Sequence, residues 1–184
     1  MQSQPPANSS PADIELGLQE LYFGYARGRI GNAGGFQKDG PANYSYAVSP
    51  AEGVFYARGR WTARAEYLES AAEGANSILI KYSGAGVRIL MAPPQGGMAE
   101  VGVRQDGASL PEHLGTADTR PPWAGAPERG SYIRVDRLRL YAVVDNRECG
   151  SHVLELTFRA AGLRLYACTF TGLPHFREQQ SPAA

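Results

Sequence analysis

The sequence predicts an all-β fold: an antiparallel β-sandwich, most simply a jelly roll. Three observations carry this. Short segments rich in β-branched and aromatic residues recur at regular intervals. Within them apolar and polar residues alternate with the period of two of a half-buried strand. Gly and Pro turn signals separate them, and no helical periodicity lasts three turns.

The elements follow in order. Residues 1–13, MQSQPPANSSPAD, have no apolar periodicity and read as a disordered leader or linker remnant. The stretch has neither the basic nor the apolar region of a signal peptide. The domain is expected over residues 14–175, with a loose tail at 176–184. Leu21–Ala26 has the aromatic content of a first strand. Residues 27–43 carry five glycines and read as a long loop. Strands are then expected at Tyr44–Val48, Val54–Arg58, Arg60–Thr62, Ala65–Ser70, Ser77–Ser83, Gly86–Met91 and Glu100–Gln105. After a polar loop come Ile133–Val144, Ser151–Arg159 and Leu163–Thr171. Ser83-Gly84-Ala85-Gly86, Asp106-Gly107 and Ala161-Gly162 are the turn signals that shape the topology. In the closing segment Leu163, Leu165 and Ala167 are expected to oppose Arg164, Tyr166 and Cys168.

Composition narrows the function. Eighteen basic residues balance eighteen acidic ones among 184, which argues against a general nucleic-acid binder. No apolar run approaches a membrane span. Lys38 and Lys81 are the only lysines, so the cationic residues are almost all Arg.

Cys149 and Cys168 are too few for a disulfide framework and too far apart for a Cys-x-x-Cys redox centre. If the last two strands form a hairpin about Ala161, Cys168 faces Leu154 and Cys149 lies about five residues further along. At ~3.4 Å per residue the pair is beyond disulfide reach. A bend at Glu148-Cys149-Gly150 leaves a bridge open beside the plainer reading of two separate thiols.

Chemistry-bearing motifs are scarce, and the chain is expected not to be an enzyme. There is no Gly-x-Ser-x-Gly elbow, phosphate loop or His-Glu-x-x-His. His113, His152 and His175 lack zinc-ligand spacing. No cofactor is expected, although a structural Ca²⁺ assembled from distant loops stays open. The aromatic residues exceed what one sandwich core needs, and aromatic rings stack on sugars. Trp123, in Arg120-Pro121-Pro122-Trp123-Ala124-Gly125, reads as a loop anchor or a binding platform. Trp123, Tyr44 and Arg88 are the candidate ligand-binding residues. Trp61, in Gly59-Arg60-Trp61-Thr62, is expected in the core.

Several motifs occur in the order of a known family. Glu20-Leu21-Tyr22-Phe23-Gly24-Tyr25-Ala26-Arg27 resembles the E-T-Y-x-G-Y-x-R start of the carboxy-terminal domain of DipZ-like thioredoxin-family proteins. Gly59-Arg60-Trp61-Thr62 with Glu66 is similar to its G-x-W strand. Val103-Arg104-Gln105-Asp106-Gly107 resembles its V-x-L-D-G hairpin, and Ala117-Asp118 the G-x-D that follows. Arg139-Leu140-Tyr141 resembles its R-L-Y strand. His152-Val153-Leu154-Glu155-Leu156 and Leu165-Tyr166-Ala167-Cys168-Thr169-Phe170 resemble its closing segments. Leu21, Gln105 and Cys168 depart from the pattern. The resemblance implies a jelly roll of the galactose-binding-like, carbohydrate-binding-module-like kind, serving as a non-catalytic accessory module, outside the cytoplasm, beside a thiol–disulfide domain absent from this sequence. Its expected partner is carbohydrate or cell-envelope glycan, or else a thioredoxin-like domain or its substrate, docked without a sugar site.

Overall fold

The computed structural model describes residues 19–46, 49–121 and 130–172. The strands are β1 (Gln19–Tyr22), β2 (Pro41–Tyr44), β3 (Phe55–Ala63), β4 (Leu68–Ser70), β5 (Asn76–Ala92), β6 (Ala99–Gln105), β7 (Ala108–Ser109), β8 (Thr119–Arg120), β9 (Ser131–Val135), β10 (Arg139–Phe158) and β11 (Arg164–Thr171). A 3₁₀ turn, Glu112–Leu114, stands between β7 and β8. There is no α-helix among the described residues, and the strands named here pair antiparallel, as the alternation predicts.

Two long strands serve both layers of the sandwich. The first half of β5 pairs with β3 and with the second half of β10. From there the front sheet runs on through β6, β9 and β8. The second half of β5 pairs with β11 and with the first half of β10, and β1 completes this back sheet. β4 joins β11 to β3. The register of β10 against β5 breaks between Asp145 and Gly150, opposite Ser83-Gly84-Ala85-Gly86.

This corrects two expectations. Ser83–Gly86 is not a turn: the chain stays extended there because both faces of the ladder find partners. Nor do the last two strands form a hairpin. β10 and β11 lie on opposite sides of β5, and Ala161-Gly162, with Gly162 at φ 84°, turns a corner between them. Cys168 therefore faces Ile89 and Leu21, not Leu154. Asp106-Gly107, with φ values of 52° and 80°, does make the expected tight turn.

The core lies between the sheets. Trp61 is fully buried, edge-on to Phe158, and its indole N–H donates to the Arg58 carbonyl at 2.9 Å. Phe23 meets Phe55 across the layers at 4.9 Å. In the back sheet Tyr141, Ile89, Cys168 and Leu21 form one inward cross-strand row. Cys168 points inward, against the simple alternation, because Tyr166 is a bulged extra residue between Leu165 and Ala167. One inserted residue moves every later side chain to the other face.

Candidate functional site

The structure places two of the sequence motifs together. Asp118, just before β8, accepts two hydrogen bonds from the Arg139 guanidinium, at 2.8 and 3.1 Å. It also accepts the Ala142 N–H at 2.9 Å. The Arg139 guanidinium, and then the Ala142 N–H, hold the Asp118 carboxyl below its ordinary range against the opposing effect of burial. Arg139 in turn lies 3.7 Å from the Tyr141 ring centre.

Two threonines continue this seam. Thr116 Oγ1 donates to the Ala142 carbonyl and Thr119 Oγ1 to the Val143 carbonyl, each at 2.7 Å. Thr116 Oγ1 also accepts the backbone N–H groups of Asp118 and Thr119. The segment from the 3₁₀ turn to β8 is thus stitched to the free edge of β10. Above the seam lies an open hollow of about 220 Å³. Leu110, Pro111 and Pro121 give it apolar walls, and Glu112, Thr116 and Arg120 give it polar ones. Nothing in the spacing of Glu112, Thr116 and Arg120 singled them out. They meet because Asp118, Thr116 and Thr119 hold the segment folded back against β10.

A second polar cluster closes on itself. The Tyr82 hydroxyl donates to Gln105 Oε1 at 2.7 Å, Gln105 Nε2 donates to Asn146 Oδ1 at 2.8 Å, and Asn146 Nδ2 donates back to the Tyr82 oxygen at 2.8 Å. Burial pushes the Tyr82 hydroxyl's pKa up, so it stays protonated. Beside it Asp106 bonds His152 Nδ1 and the Val153 N–H, each at 2.8 Å. Burial works to raise the Asp106 pKa, but His152 and the Val153 N–H outweigh it. This cluster fastens the β6–β7 turn to β10.

Of the three candidate ligand residues, the two described ones, Tyr44 and Arg88, are not brought together. Tyr44 is 7% exposed, and its hydroxyl accepts the Gln37 N–H at 2.9 Å. Its ring is a core residue with no face for a ligand, because β2 lays it against β3. Arg88 is exposed on the back sheet, opposite Thr169 and Ala142, and does not line the hollow. Trp123 lies outside the described residues, as do residues 1–18 and 173–184.

The surplus of aromatics has a different use. Tyr22, Tyr25, Tyr46, Tyr67 and Tyr141 each carry an Arg or Lys head group 3.6–5.8 Å from the ring centre. The Arg-rich composition finds part of its role there: a planar guanidinium covers an aromatic face. Among the described residues no group of three or more His, Cys, Asp or Glu side chains is placed to hold a metal ion.

Cys149 is exposed and Cys168 buried, and both thiols are free. Burial pushes the Cys168 thiol's pKa up. A thiol reagent such as dithionitrobenzoate is expected to label one cysteine per native chain and two in denaturant. Two fast equivalents from the native protein would contradict the buried position of Cys168.

The architecture and its paired polar motifs define an all-β sandwich module whose signature residues hold its own frame. The chain belongs to the thioredoxin-like C-terminal domain family, whose model matches residues 18–171. No curated protein matches it. Among solved structures it is similar to a family two carbohydrate esterase from Cellvibrio japonicus, at 16% identity and a TM-score of 0.47. The match covers 64% of this chain and 30% of that one. The chain thus spans less than a third of that protein's length.

Proposed function

We propose that this domain is a non-catalytic accessory module that binds carbohydrate, outside the cytoplasm and beside a thiol–disulfide domain. The observation that carries the reading is the hollow between the 3₁₀ turn and β8. A sugar ring offers apolar C–H faces and a belt of hydroxyls. Leu110, Pro111 and Pro121 suit the first, and Glu112 and Arg120, which accept and donate, suit the second. Trp123 follows Pro121 by two residues and is proposed to add a stacking surface. A non-catalytic role is supported by Asp118 in the seam, which is committed to Arg139 and Ala142 and so leaves Glu112 without a second free carboxylate among the residues that line the hollow.

Titration of soluble cell-wall and plant oligosaccharides, followed by calorimetry, tests this. Binding in the micromolar to millimolar range is expected. Arg120→Ala is expected to weaken it roughly tenfold, the loss of one charge-assisted hydrogen bond. No heat from any oligosaccharide at millimolar concentration would remove the reading. Family membership supports a second one, docking of a thioredoxin-like domain without a sugar site. That domain would then bind the wild type and Arg120→Ala alike, with no competition from sugar.

A further inference from the structure

The outward face of the front sheet carries a row of residues that begins at the hollow. Arg120 on β8 faces Tyr132 on β9, Tyr132 faces Gly102 on β6, and Gly102 faces Thr157 on β10. Arg120 also lines the hollow. Two residues along the strands on one side, Arg104 faces Glu155, and two along on the other, Glu100 faces Arg134. Alternation puts all of these outside, since Val101, Val103, Ile133 and Leu156, which come between them, are fully buried. Beyond Thr157 the row ends at the buried Ser77. Its open part spans three strand steps of ~4.8 Å, about 14 Å in all.

Gly102 is the residue of this row that the fold does not explain. Glycine inside a strand weakens it and marks a bulge, a bend or the close approach of a ligand or another backbone. There is no bulge, because the register of β6 with both neighbours runs unbroken through Gly102. Gly102 is not among the glycines with positive φ. Nor is the position crowded. A Cβ there would lie 3.4 Å from the Thr157 Cβ and 3.8 Å from the Thr157 carbonyl oxygen, both ordinary contacts. The sheet thus has room for a side chain that the sequence omits, and the outer face keeps a gap between Tyr132 and Thr157.

The sides of the gap are matched in charge. Each carries one arginine and one glutamate, and Arg134 Nη2 stands 4.0 Å from Glu100 Oε1. No hydrogen bond or ion pair engages the side chains of Arg104 and Glu155 among the described residues. Guanidinium only donates and carboxylate only accepts. A sugar hydroxyl does both, so either side suits an uncharged, hydroxyl-bearing chain. A carboxylate or sulfate on that chain would meet a glutamate on both sides.

Resting on the carbohydrate reading of the hollow, we propose that the ligand is an uncharged polysaccharide held along its length rather than at a single ring. One sugar unit occupies the hollow. The units that follow cross β9, β6 and β10, and the gap at Gly102 lets the chain lie close to the sheet.

Calorimetric titration with cello-, xylo- and chito-oligosaccharides, from disaccharide to hexasaccharide, tests this beside oligogalacturonates of the same lengths. Affinity for a neutral series is expected to rise roughly tenfold from disaccharide to hexasaccharide, the worth of one further hydrogen bond to a charged group. Oligogalacturonates are expected to bind more weakly than that series. Gly102→Leu fills the gap and is expected to lower hexasaccharide affinity to about that of the disaccharide. Glu155→Ala is expected to weaken the hexasaccharide more than the disaccharide, and it keeps the test open should circular dichroism show that Gly102→Leu does not fold. Equal affinity at every length, or variants that hold the hexasaccharide as wild type does, overturns the extended site and leaves the hollow as a one-ring site. Tighter binding of oligogalacturonates overturns the uncharged ligand. No heat from any of these sugars removes the carbohydrate reading together with its extension.

Discussion

Gly59→Ala is expected to destabilise the domain by about 3 kcal/mol or more. Gly59 sits in the middle of β3 at φ 96°, where an L side chain is strained by about 1–3 kcal/mol. Space is lacking as well. A Cβ there would lie 2.3 Å from Asn76 Oδ1 and 2.9 Å from the Asn76 Cα. Asn76 has little room to yield. It is 3% exposed, its oxygen accepts the Arg60 N–H at 2.8 Å, and its amide donates to the Ala72 carbonyl at 2.7 Å. Gly53 is the internal control. It too has positive φ, 78°, but a Cβ there meets nothing. Gly53→Ala is therefore expected to cost only the strain. In urea denaturation followed by far-ultraviolet circular dichroism, the Gly59→Ala midpoint should fall clearly below that of Gly53→Ala. Equal midpoints would show that Asn76 moves aside freely.

The same position shows what the sequence could and could not convey. Gly59 interrupts the alternation of β3, so the segment reads as two strands, Val54–Arg58 and Arg60–Thr62. The structure runs one strand through it, because Asn76 from β5 fills the space that the missing side chain leaves. A residue seventeen positions away is not visible in a local pattern. The fold class was legible because alternation is a property of neighbours, and Leu154, Leu156 and Phe158 are buried together as the pattern requires. Topology was less so. Ala160-Ala161-Gly162 looks like any hairpin turn, and only the pairing of β11 with the far side of β5 makes it a corner. The inversion at Cys168 was hidden for a similar reason, since a bulge at Tyr166 leaves no mark in composition.

The candidate site was hardly legible at all. Tyr44 was singled out for its chemistry, but chemistry does not report burial. Asp118 and Arg139 stood out only as members of an ordered series of motifs. That series is now explained physically: Trp61 fills the core, Asp106 fastens a turn, and Asp118 and Arg139 clamp a segment. Arg120 and Glu112 have no such structural duty, and so no local pattern marks them.

The clamp is where frame and site meet, and its removal is expected to affect both. Asp118→Asn should cost roughly 1.5–3 kcal/mol at neutral pH, the range for hydrogen bonds to charged groups. The substitution removes the carboxylate that pairs with the Arg139 guanidinium, and it leaves at most one oxygen to accept both Arg139 and the Ala142 N–H. The sign of the pH dependence follows from the lowered carboxyl pKa. The folded state holds Asp118 ionised more firmly than the unfolded chain does, so its contribution is complete above the ordinary Asp value of 3.8. It fades as pH falls below that value and is gone once pH passes the lower folded-state value. Wild type should therefore lose stability across this acid window faster than Asp118→Asn, and the two curves should converge. Parallel curves would mean that Asp118 is not the titrating group. Because the clamp also fixes the segment bearing Glu112, Thr116 and Arg120 against β10, Asp118→Asn should weaken oligosaccharide binding at neutral pH without touching any group that faces the sugar. A loss of stability with undiminished binding would separate the hollow from its clamp and place the ligand elsewhere on the sandwich.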